Sequence, residues 1–252
     1  MQLLVNTAQS EVKMALIAKN LYKVFDKKIV VDDVSIKVEP GQIIGLLGPN
    51  GAGKTTSFYM VVGILQPDTG SIILDKELIG DLPMYVRARK GIAYLPQEPS
   101  VFRKLTVKEN LMAIIETLNI SHKQGEEILD ELLKDFGISH LINNKAYSLS
   151  GGERRRVEIS RSLILKPKFI LLDEPFAGID PIAVKEIQGI IKKLAQRNIG
   201  VLITDHNVRE TLGIVDYAYI LKEGKIKVEG SSDDIINNDD AKAFYLGKEF
   251  RL

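Results

Sequence analysis

Cysteine is absent from all 252 residues, which removes disulfide staples and thiolate metal sites and suits a reducing compartment. An excess of either charge is missing as well. The 34 Lys and Arg stand against 33 Asp and Glu, a formal charge of +1, so no bulk electrostatic pull toward nucleic acid or anionic lipid is expected. No stretch approaches the roughly 18 uninterrupted apolar residues that span a bilayer, and Met1 to Lys13 has neither the basic start nor the long apolar core of a secretory signal. The expectation is a cytoplasmic protein that reaches any membrane through a partner. Residues 1–13 show no clear periodicity and stay unassigned as an N-terminal extension, since Met14 could equally serve as a start. The remaining length, 14–252, is enough for a substantial core.

The most informative stretch is Gly48-Pro49-Asn50-Gly51-Ala52-Gly53-Lys54-Thr55-Thr56, which follows the apolar run Ile43 to Leu47. It fits G-x-x-x-x-G-K-[ST], in which glycines let backbone N–H groups curl round an anion. Lys54 then opens a helix whose unpaired N–H groups and dipole add to the anion site. The predicted ligand is a Mg-nucleoside triphosphate, with the Lys54 ammonium on the β- and γ-phosphates and the Thr55 hydroxyl on Mg²⁺. Thr56 to Leu65 is expected to continue that helix.

Along the rest of the chain, Val- and Ile-rich runs from Leu16 predict an antiparallel strand pair, with Phe25 on the connection as a core aromatic or a platform for a base. Gln66 to Gly70 reads as a turn, Ser71 to Leu74 as a strand, Pro83 to Lys90 as a helix and Ile92 to Leu95 as a buried strand ending at Pro96-Gln97. From Thr106 to about Leu141 the apolar spacing is helical, and strands are missing for about 60 residues, which suggests a helical subdomain inserted in an α/β core. Ser150 and Glu153 form an S-x-x-E capping box for a helix to Leu165, while Gly151 and Gly152 could expose N–H groups for a second anion contact. Arg154, Arg155 and Arg156 read as a solvated basic face. Phe169 to Leu172 suits a strand of a parallel sheet buried on both faces, with Asp173 and Glu174 at its carboxyl end, where such sheets bind ligands. Alternation along the strand would turn Asp173 toward Mg²⁺ and Glu174 toward an attacking water. Pro181 suits the first turn of a helix to Arg197, and Gly200 to Thr204 is another buried strand, followed by Asp205-His206. Of the three histidines, His122 and His140 read as surface. Tyr217 to Leu221 and Lys225 to Glu229 form a hairpin about Glu223-Gly224, and short helices finish the chain.

From about Leu16 onward the sequence resembles the nucleotide-binding subunits of ABC (ATP-binding cassette) transporters. The resemblance rests on six motifs in order: Gly48 to Thr55 (Walker A), Gln97 (Q-loop), Leu149 to Glu153 (signature), Phe169 to Glu174 (Walker B), Asp180 (D-loop) and His206 (switch histidine). It implies a P-loop NTPase core of the RecA-like kind with an antiparallel β subdomain (14–98 and 164–252) and an α-helical insert (99–163). It further implies a head-to-tail homodimer sandwiching two ATP molecules, the phosphate loop of one copy facing Ser150, Gly151 and Gly152 of the other. Thr55, Gln97 and, through water, Asp173 would hold Mg²⁺; Glu174 would deprotonate the water, His206 would contact the γ-phosphate, and Phe25 would stack on adenine. Three departures stand out. Glu153 replaces the usual Gln, Ala177-Gly178-Ile179-Asp180 replaces the frequent S-A-L-D, and Phe25 replaces tyrosine; none removes a group needed for hydrolysis.

Longer stretches are similar to the branch of that family that powers bacterial lipopolysaccharide export: Thr55 to Gly63, Tyr94 to Arg103, Gly151 to Ile159, Pro175 to Pro181, Ile203 to Leu212 and Tyr245 to Leu252. This implies two transmembrane permease subunits of the LptF/LptG type, at the cytoplasmic face of an inner membrane, docked in a groove lined by Phe102 and Arg103. Alternatives are the ATPase of a branched-chain amino-acid importer, a non-transport ABC clamp and a non-hydrolysing regulator. Clamps need a long coiled-coil insertion or tandem cassettes, which this sequence lacks, and the regulator is disfavoured by Glu174 and His206 together.

Overall fold

The computed structural model describes residues 14–247 and 250. The extension 1–13 and four positions of the tail stretch, Lys248, Glu249, Arg251 and Leu252, lie outside the described residues. The chain opens with β1 (Leu16–Phe25) and β2 (Lys28–Val38), an antiparallel pair. Asp26 and Lys27 between them both have left-handed φ, 47° and 66°, as a two-residue turn matched to the strand twist requires.

β3 (Ile43–Leu47) leads through the phosphate loop into α1 (Lys54–Val62). That helix stops three residues short of the expected Leu65, because Gly63 turns left-handed (φ 94°) and the Tyr59 carbonyl takes the N–H groups of Gly63, Ile64 and Leu65. β4 (Thr69–Leu74) and the unforeseen two-residue β5 (Glu77–Leu78) complete a first sheet in the order β2-β1-β4-β5. α2 (Met84–Arg89) and β6 (Ile92–Leu95) follow.

The helical stretch consists of two helices. α3 (Val107–Ile115) and α4 (His122–Asp135) each begin at a capping box, on Thr106 and Ser121, and a 3₁₀ turn covers Ser139–Leu141. α5 (Gly151–Leu163) packs on α3. Then come β7 (Phe169–Asp173), α6 (Pro181–Gln196), β8 (Gly200–Thr204), α7 (Val208–Leu212), the hairpin β9 (Tyr217–Lys222) and β10 (Lys225–Ser231), and the short helices α8 (Ser232–Asn237) and α9 (Asp239–Ala241).

The second sheet runs β10-β9-β3-β8-β7-β6, parallel except for the edge strand β10. Its inner strands separate two apolar clusters by simple alternation. Ile43 and Leu47 of β3, Ile170 and Leu172 of β7, and Val201 and Ile203 of β8 join the helices of one cluster. Ile44, Leu46, Phe169, Leu171 and Leu202 face α1 and the first sheet in the other. A period of two on strands covered on both faces explains the unbroken apolar runs in the sequence. Each such side chain contributes about 1.5–3 kcal/mol by leaving water, so the sheet is a firm base for whatever its carboxyl edge carries.

Candidate functional site: the carboxyl edge of the parallel sheet

The central strands β3, β7 and β8 and the edge strand β6 end on one side of the sheet, and the expected chemistry gathers there. Beyond Leu47 the loop 48–53 is braced from behind. A Cβ at Gly53 (φ 97°) would lie 2.5 Å from the Val30 carbonyl oxygen, so only glycine fits. The Gly224 amide at the β9–β10 turn donates to the Ala52 carbonyl at 3.0 Å. Ala52 is buried, Asn50 and Gly51 are exposed, and a Cβ at Gly51 would meet nothing within 4 Å. Among the described residues the amides of Gly53, Lys54, Thr55 and Thr56 find no acceptor in the chain, which leaves a row of donors at a helix N-terminus. The buried Lys54 ammonium meanwhile donates to the carbonyls of Gly48 (2.6 Å) and Pro49 (2.9 Å). Burial pulls its pKa down, opposed by the charge of Glu174.

Two strands away, the Asp173 side chain is buried at the end of β7, and burial pushes its carboxyl up. Glu174 does not continue the strand. Its φ is 45°, a left-handed turn that costs a non-glycine residue about 1–3 kcal/mol, and its N–H donates to the Thr204 carbonyl at 2.7 Å. Strand alternation is therefore not what separates the two carboxylates; the backbone turns at Glu174. The turn brings Glu174 Oε1 to 2.6 Å from His206 Nε2, while Gln97 Nε2 donates to Oε2 at 2.6 Å. Burial raises the Glu174 pKa first of all; His206 opposes this, and Asp205 and Asp173 add to it.

Thr55, Gln97 and Asp173 offer only oxygen donors to a cation. Among the described residues no three His, Asp or Glu side chains could hold a metal by themselves. That fits Mg²⁺, which takes one or two protein oxygens and completes its shell with phosphates and water.

The other expected residues stand apart. Ser150 caps α5 reciprocally: the Glu153 N–H donates to Ser150 Oγ (3.3 Å) and the Ser150 N–H to Glu153 Oε2 (2.9 Å). A Cβ at Gly152 would come 2.6 Å from the Ala183 Cβ, so that glycine lets α5 and α6 approach. Among the described residues, no hydrogen bond joins Ser150, Gly151 or Gly152 to loop 48–56. Asp180 caps α6, accepting from Ile182 (3.1 Å) and Ala183 (3.0 Å). Phe25 is exposed at the end of β1, with the Lys23 ammonium 5.5 Å from its ring centre. Phe102 lines a cavity of about 280 Å³ with Tyr94, Leu95, Ile114, Arg161 and Leu165, and Arg161 lies over its ring at 5.1 Å. Arg103 is exposed but does not line that cavity. A larger cavity, about 390 Å³, is bordered by Met14, Glu39, Pro40, Lys168 and Asn198, none of them a residue of this site.

The basic run is not a solvated face. Arg155 is buried, donating to the Pro96 carbonyl (2.8 Å), the Asp173 carbonyl (3.1 Å) and Glu158 (3.3 Å). It thus ties α5 to the segments carrying Gln97 and Asp173. Helical spacing held the clue, since Arg155 falls three after buried Gly152 and four before buried Ile159.

Residues 31–177 match the family described as ABC transporter. The lipopolysaccharide export system ATP-binding protein LptB of Haemophilus influenzae is 55% identical over 238 residues, covering 94% of this chain and 99% of that protein. The protein of the same name from Acidithiobacillus ferridurans is 54% identical over 93% of this chain and 98% of its own length. Among solved structures, the ATP-binding cassette MJ1267 in its ADP conformation superposes with a TM-score of 0.83 at 28% identity, covering 93% of this chain and 99% of that one. A nucleotide-free cassette of an ABC transporter gives 0.81 at 29%, over 93% and 100%.

Proposed function

The chain belongs to the ABC transporter family, and on that premise we propose that it is the ATP-hydrolysing subunit of a lipopolysaccharide exporter. The observation that carries the hydrolytic part is Glu174, whose two carboxylate oxygens are held by Gln97 and His206 at 2.6 Å each at the sheet edge that bears the phosphate loop. The cargo assignment is supported by similarity over nearly the full length of the named relatives.

The triphosphate binds the free amides of residues 53–56, and Lys54 exchanges its two carbonyl acceptors for phosphate oxygens. Mg²⁺, held by Thr55, Gln97 and, through water, Asp173, would supply charge neutralisation of the β- and γ-phosphates. Glu174 orients a water and takes its proton, and His206 passes from the Glu174 carboxylate to the γ-phosphate. Since among the described residues no hydrogen bond joins Ser150, Gly151 or Gly152 to the loop of their own chain, a second copy, head to tail, would bring them to the opposite phosphate. ATP favours that closed pair and hydrolysis releases it. Two transmembrane subunits of the LptF/LptG type would dock at the Phe102 cavity, beside Arg103, so the chain meets the inner membrane at its cytoplasmic face only through them.

The test is Glu174→Gln. It should retain ATP, accumulate as closed dimers and lose turnover about 10²- to 10⁴-fold; near-normal phosphate release from that variant would remove Glu174 as the base. Co-purification with lipopolysaccharide-exporting permeases, as against amino-acid importers, decides the cargo.

A further inference from the structure

Asp205 lies between Thr204 and His206 and is 1% exposed. A buried carboxylate needs donors, and this one takes them from two different loops. Its Oδ2 accepts the Phe176 N–H at 3.0 Å and its Oδ1 the Asn207 N–H at 2.7 Å. Phe176 is two residues after Glu174, on the segment that leaves β7; Asn207 follows His206, on the segment that leaves β8. Above this tie the strands are joined once more, by the Glu174 N–H on the Thr204 carbonyl at 2.7 Å. The two segments therefore meet once backbone to backbone and once through the Asp205 side chain on the Phe176 amide, and a third time at the 2.6 Å contact of Glu174 with His206. Arg155, whose guanidinium reaches the Asp173 carbonyl, braces the β7 side of the same junction.

We infer that Asp205 is a positioning residue of the hydrolytic site: its carboxylate sets the separation of the Glu174 and His206 loops and so the geometry in which the base receives the water. The inference rests on the ATPase reading above. Asp205 acts through the amides of Phe176 and Asn207. An asparagine there keeps the shape but sets an NH₂ group against one of those two N–H donors, so either the tie to the Phe176 segment is lost or the Asn207 bond that holds the side chain in place for that tie is lost.

The experiment is Asp205→Asn, alone and combined with His206→Ala, with steady-state ATP hydrolysis and nucleotide affinity measured on the full chain. In the otherwise native protein kcat should fall about tenfold to a hundredfold, the size expected when a catalytic group shifts by about an ångström, with KM for ATP within about twofold. In the His206→Ala background the same substitution should cost less than about threefold, because residues acting as one unit are not additive. A kcat loss below about threefold in the single variant, or an equal fold-loss in both backgrounds, overturns the inference. If Asp205→Asn does not yield folded protein, Asn207→Pro decides instead. It deletes one donor from the other side at a position whose φ of −79° admits proline, and it should reproduce the kcat loss at constant KM; unchanged kcat in that variant overturns the inference. Native protein that releases no phosphate would overturn the ATPase reading itself, an outcome separate from all of these.

Discussion

Replacing Arg87 should unsettle the phosphate loop from behind, and the size of the effect can be worked from its contacts. The side chain is 1% exposed and donates four hydrogen bonds: Nε to Leu82 O (2.8 Å), Nη1 to Met60 O (2.8 Å) and Val61 O (2.7 Å), and Nη2 to Gly80 O (2.7 Å). Met60 and Val61 stand in the last turn of α1, the helix that starts at Lys54, so the guanidinium satisfies carbonyls that every helix end leaves open and places a positive charge where the helix dipole favours it. Burial draws its pKa down to about 10, which still leaves it charged at neutral pH. Bonds from a charged donor are worth about 1.5–3 kcal/mol each, and four of them must offset several kcal/mol for burying the cation. Truncation removes the donor and strands four acceptors, so Arg87→Ala should cost about 3–5 kcal/mol. For a domain of this length that lowers Tm by roughly 6–20 °C. Arg87→Lys keeps the charge but not the fork, and should recover less than half of the loss. Urea unfolding followed by circular dichroism measures both. A loss under about 1 kcal/mol for Arg87→Ala, or native stability for Arg87→Lys, would mean that these four bonds do not hold the end of α1. A further check comes from Gly63, where a Cβ would lie 2.7 Å from Arg87 Nε: Gly63→Ala should be less damaging once Arg87 is absent.

Gly53→Ala forces a Cβ to 2.5 Å from the Val30 carbonyl oxygen at φ 97°; it should destabilise by about 1–3 kcal/mol and abolish nucleotide binding, and retained binding in a fluorescent-nucleotide titration would contradict the tight brace. A base must be ionised to accept a proton, and burial raises the Glu174 pKa above 4.5. The acid limb of kcat/KM should therefore have its midpoint above pH 4.5, activity being lost as pH falls through the raised value; a profile flat down to that pH would count against Glu174. Phe102→Ala removes a 48% exposed ring, so ATP hydrolysis by the isolated subunit should survive while assembly with the membrane subunits weakens; unaltered co-purification would remove the docking assignment.

The sequence made the sheet and the phosphate loop legible because they obey local rules. Five-residue apolar runs, left-handed turn positions and S-x-x-E caps each state their structure within a few residues. Charged residues that face inward do not. Arg87 and Arg155 are indistinguishable by composition from surface arginines, and their acceptors lie on segments far off in sequence, at Met60 and Pro96. Glu174 illustrates the same limit. Period-two alternation describes β7 through Asp173 and then fails, because a left-handed residue at the strand end is fixed by its bond to Thr204, 30 positions on. Ser150 was legible as a cap and has the bonds of one, whereas Asp180, known from the sequence only through the family motif, also caps its helix.

The strand that carries the phosphate loop has a consequence for how the molecule is made. Both neighbours of β3, β8 and β9, come from beyond residue 199. A ribosome adding about 5–20 residues per second therefore leaves Ile43 to Leu47 without pairing partners for on the order of ten seconds. Through that interval an all-apolar segment must stay out of intermolecular trouble. A protein truncated before β8 would keep the whole glycine loop in its sequence and yet have no sheet edge on which to mount it.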